Sequence, residues 1–409
     1  MRTTLRLPGG SASAVAALVY MACAPPEAAG GPDASTQLDA TTDGGSDETA
    51  DVTQPEANAE SGGPDAASDG GSSDSPTDAT ALDGMTDAAP DGMPMLVCDS
   101  GAVPPEASVL AISDAGLGGI VTDGTNVYGA TNQVPGGGIA SVAIDGGGIT
   151  NLFPTPAYAG SGVWSLAVNA PNVYWLSNVA LALYCTLWAV PIEGGYATQV
   201  GGSNFGATDH CIPISLAIDG TYAYWTMEGA QSVVARCPLD GGTCTAPAAG
   251  TATGGNLNYG GGIAVNSTTV YFGADGTLNS VPLDGGTVTT LVPGLPTTPR
   301  WVGVDSMYVY YLPSSSETVP YGTPSPGPVM RVPLDGGTSE LVVSIPTLQS
   351  NVLIDATSLY WIDAAGVQKA PLAGGCPTLL AGPTAANSIA IDATNIYFTD
   401  GTTLYQAAK

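Results

Sequence analysis

The chain has 409 residues with 56 Gly and 33 Pro but only four Phe and one His, and its formal net charge is −29. Between Arg6 and Arg236 there is no Lys or Arg, which argues against nucleic acid as a partner, because affinity for phosphate rests on clustered cations. Gly supplies positive φ and Pro pre-sets turn geometry, so this usage points to many short strands joined by tight turns, an all-β chain.

Residues 1–23 carry Arg2 and Arg6, then the apolar run Ala12 to Ala22, then Cys23. The run is too short to span a bilayer but suits the core of an export signal behind a positive amino terminus. It resembles a bacterial lipoprotein signal, in which the Cys after the apolar core becomes the lipidated first residue. Ala22 fits that pattern, whereas Tyr20 stands where Leu is usual. The expectation is lipidation of Cys23; the alternatives are ordinary cleavage around Ala24 to Ala29 or an uncleaved buried helix. Residues 24–95 are Asp, Ala, Gly, Ser, Thr and Pro in segments such as Gly62-Gly63-Pro64-Asp65-Ala66-Ala67. Such a stretch buries too little apolar surface to offset the entropy of ordering, so a disordered acidic linker is expected. Like charges extend it, and an anchor at Cys23 would hold the following domain off the membrane.

From residue 96 onward one element recurs: Asp123…Tyr128, Asn169…Tyr174, Asp219…Tyr224, Asn266…Tyr271, Asp305…Tyr310, Asp355…Tyr360 and Asp392…Tyr397. Their mean spacing of about 45 residues is that of a propeller blade. Within a copy, Ser215–Ile218, Ala223–Thr226, Ser232–Arg236 and Cys244–Ala246 read as four strands, with Asp219-Gly220 and Asp240-Gly241 as turn signals between them. The seventh copy stops after its third strand, Thr403–Gln406. Ala107–Ile112 has the pattern of a fourth strand, so the amino-terminal strand is expected to complete the last blade. The expected fold is a seven-bladed β-propeller of four-stranded antiparallel blades, a closed ring without exposed sheet edges.

Leu359-Tyr360-Trp361-Ile362-Asp363, Ile396-Tyr397-Phe398-Thr399-Asp400 and Tyr224-Trp225-Thr226 resemble the Tyr-Trp-Thr-Asp repeat of low-density-lipoprotein-receptor-type propellers. Leu283-Asp284-Gly285 also fits that repeat. The resemblance covers about residues 106–409 and implies the blade, not a function. Those receptor propellers have six blades, which leaves six as the alternative count, and most copies here lack the terminal Asp. With the signal and acidic linker, the whole is similar to exported lipoproteins of Gram-negative bacteria that carry such repeats.

The seven cysteines become six if Cys23 carries lipid, and an even count in an exported chain favours disulfides over metal thiolates. Cys237 and Cys244 flank an Asp-Gly hairpin and are expected to pair. Cys185 and Cys211 fall in loops of one face and could staple neighbouring blades, which leaves Cys98 with Cys376. A zinc site would have only Cys185, His210 and Cys211 to draw on, and no metal or cofactor is expected.

Alternating strand direction places the b–c and d–a loops on one face and the short Asp-Gly turns on the other. The longer insertions, Thr155–Gly162, Asn178–Tyr184, Gly201–Pro213, Gly250–Gly261 and Pro313–Pro328, lie on the first face, where function usually sits. The inner strands, such as Leu166–Val168 and Leu216–Ile218, hold no titratable group, which argues against acid–base or metal catalysis in the channel. At its mouth come Trp164, Ser165, Ser215, Arg300, Trp301, Asn351 and Ser388. Aromatic, amide and hydroxyl groups there could hold a sugar or peptide, and Arg300 a carboxylate; the alternative is that Trp164 and Trp301 pack between blades. The leading expectation is a monomeric, non-enzymatic binding protein for a protein or carbohydrate, touching membrane only through a lipid anchor at the outer membrane or cell surface. A soluble secreted or periplasmic protein is the alternative address. A propeller hydrolase or lactonase would need Asp209, His210 or Glu317, and no Gly-x-Ser-x-Gly elbow is present; a structural surface protein is the third reading.

Overall fold

The computed structural model describes residues 106–131, 138–152, 163–178, 185–203, 211–228, 234–248, 261–313, 325–382 and 385–409. The signal segment with Cys23, the acidic stretch 24–95 and Cys98 lie outside them. Among the described residues every regular element is a strand, and every pairing between strands is antiparallel. Hydrogen bonding joins them into five antiparallel sheets, two of which each hold two copies of the repeat: one runs over 299–381, where Leu348 pairs with Asp363, and one joins 388–408 to 108–151. The stretches 117–151, 165–203, 212–246, 263–292, 299–348, 353–381 and 388–408, one for each copy of the repeat, are numbered as units one to seven below.

Strand Ser108–Thr122 serves two units. Its first part pairs with Gly401–Ala408, with Ser108 opposite Gln406 and Ile112 opposite Thr403. Its second part pairs with Asn126–Thr131, with Val121 opposite Tyr128. The register breaks between Ile112 and Leu117 and again between Gly118 and Val121. Gly116 and Gly119 take positive φ of 73° and 56° there, which lets one strand turn from the last unit into the first. In unit three the expected fourth strand, Cys244–Ala246, is reduced to a single bridge between Arg236 and Thr245. Pro247 follows at once and brings no N–H to extend a ladder.

The middle strands explain where the core sits. Side chains alternate between the two faces of a sheet, and here both faces are covered. Tyr224 packs toward unit four while Trp225 packs toward unit two; Tyr360 packs toward unit seven while Trp361 packs toward unit five. The buried residues accordingly form seven clusters, each between two units, one of them joining Ala390, Tyr397 and Leu404 of unit seven to Ile120 and Val127 of unit one. Inner strands also pack in succession, and Ser388–Ile391 packs on Ser108–Thr122. At the contact of units four and five a Cβ on Gly262 would lie 2.6 Å from the Trp301 backbone, so only glycine allows that approach.

Candidate functional site

Each unit has two edges, and their chemistry differs. On the tight-turn edge the repeated Asp is fully engaged in scaffold. Asp219 accepts from the backbone N–H of Thr221 and Tyr222 through one oxygen, at 2.8 and 2.7 Å, and from the Tyr224 hydroxyl through the other, at 2.8 Å. Asp123, Asp305, Asp355 and Asp392 repeat this with Tyr128, Tyr310, Tyr360 and Tyr397. In unit four the amide reverses the polarity, and Asn266 Nδ2 donates to the Tyr271 hydroxyl at 3.3 Å. In unit two Pro171 supplies no N–H, and it is Asn172 whose Nδ2 donates to Tyr174, at 3.2 Å. An eighth instance, Asp400 with Tyr405, closes the next turn of unit seven.

For Asp123, Asp355, Asp392 and Asp400, burial alone would raise the carboxyl, but the hydrogen bonds outweigh it. Asp123, Asp392 and Asp400 are held below the ordinary carboxylate value by their turn N–H groups, nearby hydroxyls and the tyrosine. Asp355, which also meets Lys409 Nζ at 2.6 Å, is pushed down to about 2. Burial and the adjacent carboxylate raise Tyr128, Tyr224, Tyr310 and Tyr397, and the same causes raise Tyr360.

Cations tie the units together along this edge. Arg331 of unit five stacks over Tyr308 at 4.6 Å and donates from Nη1 to the Leu372 carbonyl of unit six at 2.8 Å. Arg236 of unit three stacks over Tyr222 at 4.2 Å and donates from Nη1 to the Leu283 carbonyl of unit four. Lys409 joins Asp355 of unit six to the Asp392 carbonyl of unit seven, the latter at 2.8 Å. The Arg-x-Pro-Leu spacing common to Arg236 and Arg331 signalled this pair, but it is legible only once the following Leu carbonyl is known to face the preceding unit.

On the opposite edge the residues expected at a channel mouth take equivalent positions in or just before the inner strands. Ser165, Ser215, Trp301 and Ser388 are buried, whereas Trp164, Arg300 and Asn351 are half-buried. The Ser388 hydroxyl accepts from Ile120 N–H at 3.0 Å, and Thr399 donates to the Leu117 carbonyl at 3.1 Å, both across units seven and one. Thr226 donates likewise from unit three to the Gly261 carbonyl. Trp301 belongs to the cluster between units five and six, and Trp164 packs on the one between units two and three. His210, Asp209, Glu317 and most of the long connections lie outside the described residues.

Cys185 and Cys211 join units two and three, with Cα atoms 5.5 Å apart, and Cys237 and Cys244 join across the unit-three hairpin at 4.3 Å. Cys376 is disulfide-bonded as well, and the Cys98 assigned to it is outside the described residues. Among the described residues no group of three or more His, Cys, Asp or Glu is arranged to hold a metal ion.

No family model matches the chain, and no curated protein matches it. Among solved structures it is similar to the GH74 enzyme of Niastella koreensis, with 16% identity and a TM-score of 0.50 over 74% of this chain and 53% of that one. It is also similar to the oligogalacturonate lyase of Vibrio parahaemolyticus, with 10% identity and a TM-score of 0.49 over 75% and 97%. A chain of the nidogen/laminin complex aligns with 16% identity and a TM-score of 0.37 over 57% and 84%. At such identities the likeness concerns the fold alone: this chain is built of propeller-type repeats of antiparallel strands.

Proposed function

We propose that the chain is an exported, lipid-anchored, seven-bladed β-propeller whose ring is closed by the amino-terminal strand, and that it binds protein or carbohydrate on its long-loop face without catalysing a reaction. The pairing of Ser108–Ile112 with Gly401–Ala408 and the apolar cluster between units seven and one support closure. The disulfides support an oxidising address. The observation that carries the binding reading is the contrast between edges. The tight-turn edge repeats one hydrogen-bonded design, and its carboxylates are consumed by it. The other edge differs from copy to copy, in loop length and in the half-buried Trp164, Arg300 and Asn351. Variation on a rigid scaffold is where recognition is built.

The test is a glycan array and a pull-down with the full chain. The reading expects a retained ligand whose capture falls at least tenfold on Trp164→Ala or Arg300→Ala with the melting temperature maintained, about the loss of one good contact. Turnover of an ester or lactone by the purified chain would replace it with the hydrolase reading.

A further inference from the structure

We propose that a second site, on the tight-turn edge between units three and four, binds a carboxylate through Arg236. It is separate from the long-loop face. A cleft of about 400 Å³ lies there, lined by Arg236, Thr245 and Pro247 of unit three and by Asp284 and Gly285 of unit four.

The repeat itself shows what this arginine takes. Arg331, at the same place in unit five, stands across the sheet from Glu340, whose carboxylate accepts from Nε at 3.0 Å and from Nη2 at 2.7 Å. Its remaining Nη1 goes to the next unit's leucine carbonyl. Arg236 makes the same Nη1 bond, to Leu283, and the same stack, on Tyr222. Its cross-strand partner, however, is Thr245, too short to reach the fork. Among the described residues the Nε and Nη2 edge of Arg236 has no acceptor, and its one ion pair, from Nη1 to Asp284 at 3.2 Å, is with a carboxylate 97% exposed. Guanidinium and carboxylate match as planar partners, and Arg236 is already oriented by its stack and its carbonyl bond. A ligand carboxylate in the cleft would take the place that Glu340 fills in unit five. A sugar acid or the carboxyl terminus of a peptide could supply it.

Ligand-observed NMR titration of the full chain tests this with galacturonic acid and N-acetylglycine, each beside its methyl ester. The expected result is that at least one acid binds about tenfold or more tightly than its ester, the loss expected for a charge-assisted hydrogen bond. Preference for galacturonic acid alone identifies a sugar acid, and preference for N-acetylglycine alone a peptide carboxyl terminus. Thr245→Glu rebuilds the Arg331–Glu340 pair within unit three and should abolish the preference while the melting temperature holds or rises. Arg236→Met, which removes both the charge and the fork but keeps the aliphatic stem, should abolish it too and serves if the first variant does not fold. The proposal is overturned if neither acid is preferred over its ester, or if the folded variants retain the preference.

Discussion

In units one, six and seven the repeated Asp and Tyr act as a matched pair of titrating groups. Asp123, Asp355, Asp392 and Asp400 lie below their ordinary value in the folded chain, so their contribution is complete above the unfolded value near pH 4 and is lost as pH falls through the folded one, about 2 for Asp355. The raised tyrosines behave oppositely: their contribution is complete below about pH 10 and is lost as pH rises through their folded values. Urea midpoints measured against pH should therefore form a plateau that falls on both sides, and Tyr360→Phe should soften the alkaline fall. A second residue-scale expectation concerns two tryptophans at equivalent positions. Trp361 Nε1 donates to Asp363 at 2.9 Å, whereas Met227 stands at that place beside Trp225, whose buried Nε1 has no partner among the described residues. Trp361→Phe should cost about 1–2 kcal/mol more than Trp225→Phe in equilibrium unfolding, because only it strips a partner from a buried carboxylate. Equal costs would show that the Asp363 bond contributes nothing.

At the scale of the element, glycines and disulfides decide which turns tolerate change. The hairpins after the third strands close through bonds such as Gly285 N–H to the Pro282 carbonyl at 2.9 Å, with Gly285 at φ 86°. Gly366 is more demanding: at φ 129° an added Cβ would stand 2.1 Å from the Ala381 carbonyl oxygen, whereas at Gly382 nothing lies within 4 Å. Gly366→Ala should cost about 3 kcal/mol or more and Gly382→Ala less than about 1, as read from denaturant midpoints. The Cys185–Cys211 bond closes a separation of 26 residues and Cys237–Cys244 one of 7. On chain entropy, losing the first should cost about 3.5 kcal/mol and the second about 2.5; the reverse order in paired Cys→Ser variants would refute that account. Much of this was legible in the chain, because Asp-Gly turns, Val-Tyr strands and cysteines flanking a hairpin are local signals. The weak fourth strand of unit three was not, because Cys244-Thr245-Ala246 reads as a strand while Pro247, one residue on, ends the ladder. Nor was Asp400–Tyr405, which repeats the Asp-to-Tyr spacing outside the repeat's own phase.

For the whole molecule the repeat made the strands of each copy legible, since their order is defined by phase relative to each Asp. What phase does not reveal is depth. Ser165, Ser215 and Ser388 look polar and available in the sequence but are buried where adjacent inner strands meet, and Ser388 holds the Ile120 N–H. The ties between units were equally hidden, because Arg236, Arg331 and Lys409 reach main-chain carbonyls that sequence alone does not place. All these ties act between neighbours, so the arrangement depends on the junction of the last unit with the first, where Ser108–Thr122 belongs to both. The direct test is a cysteine pair at the register partners Val109 and Tyr405, oxidised in the full chain and mapped by non-reducing digestion. A closed ring predicts one new disulfide-linked peptide pair containing positions 109 and 405. Two free thiols at those positions, with the native disulfides intact, would contradict it.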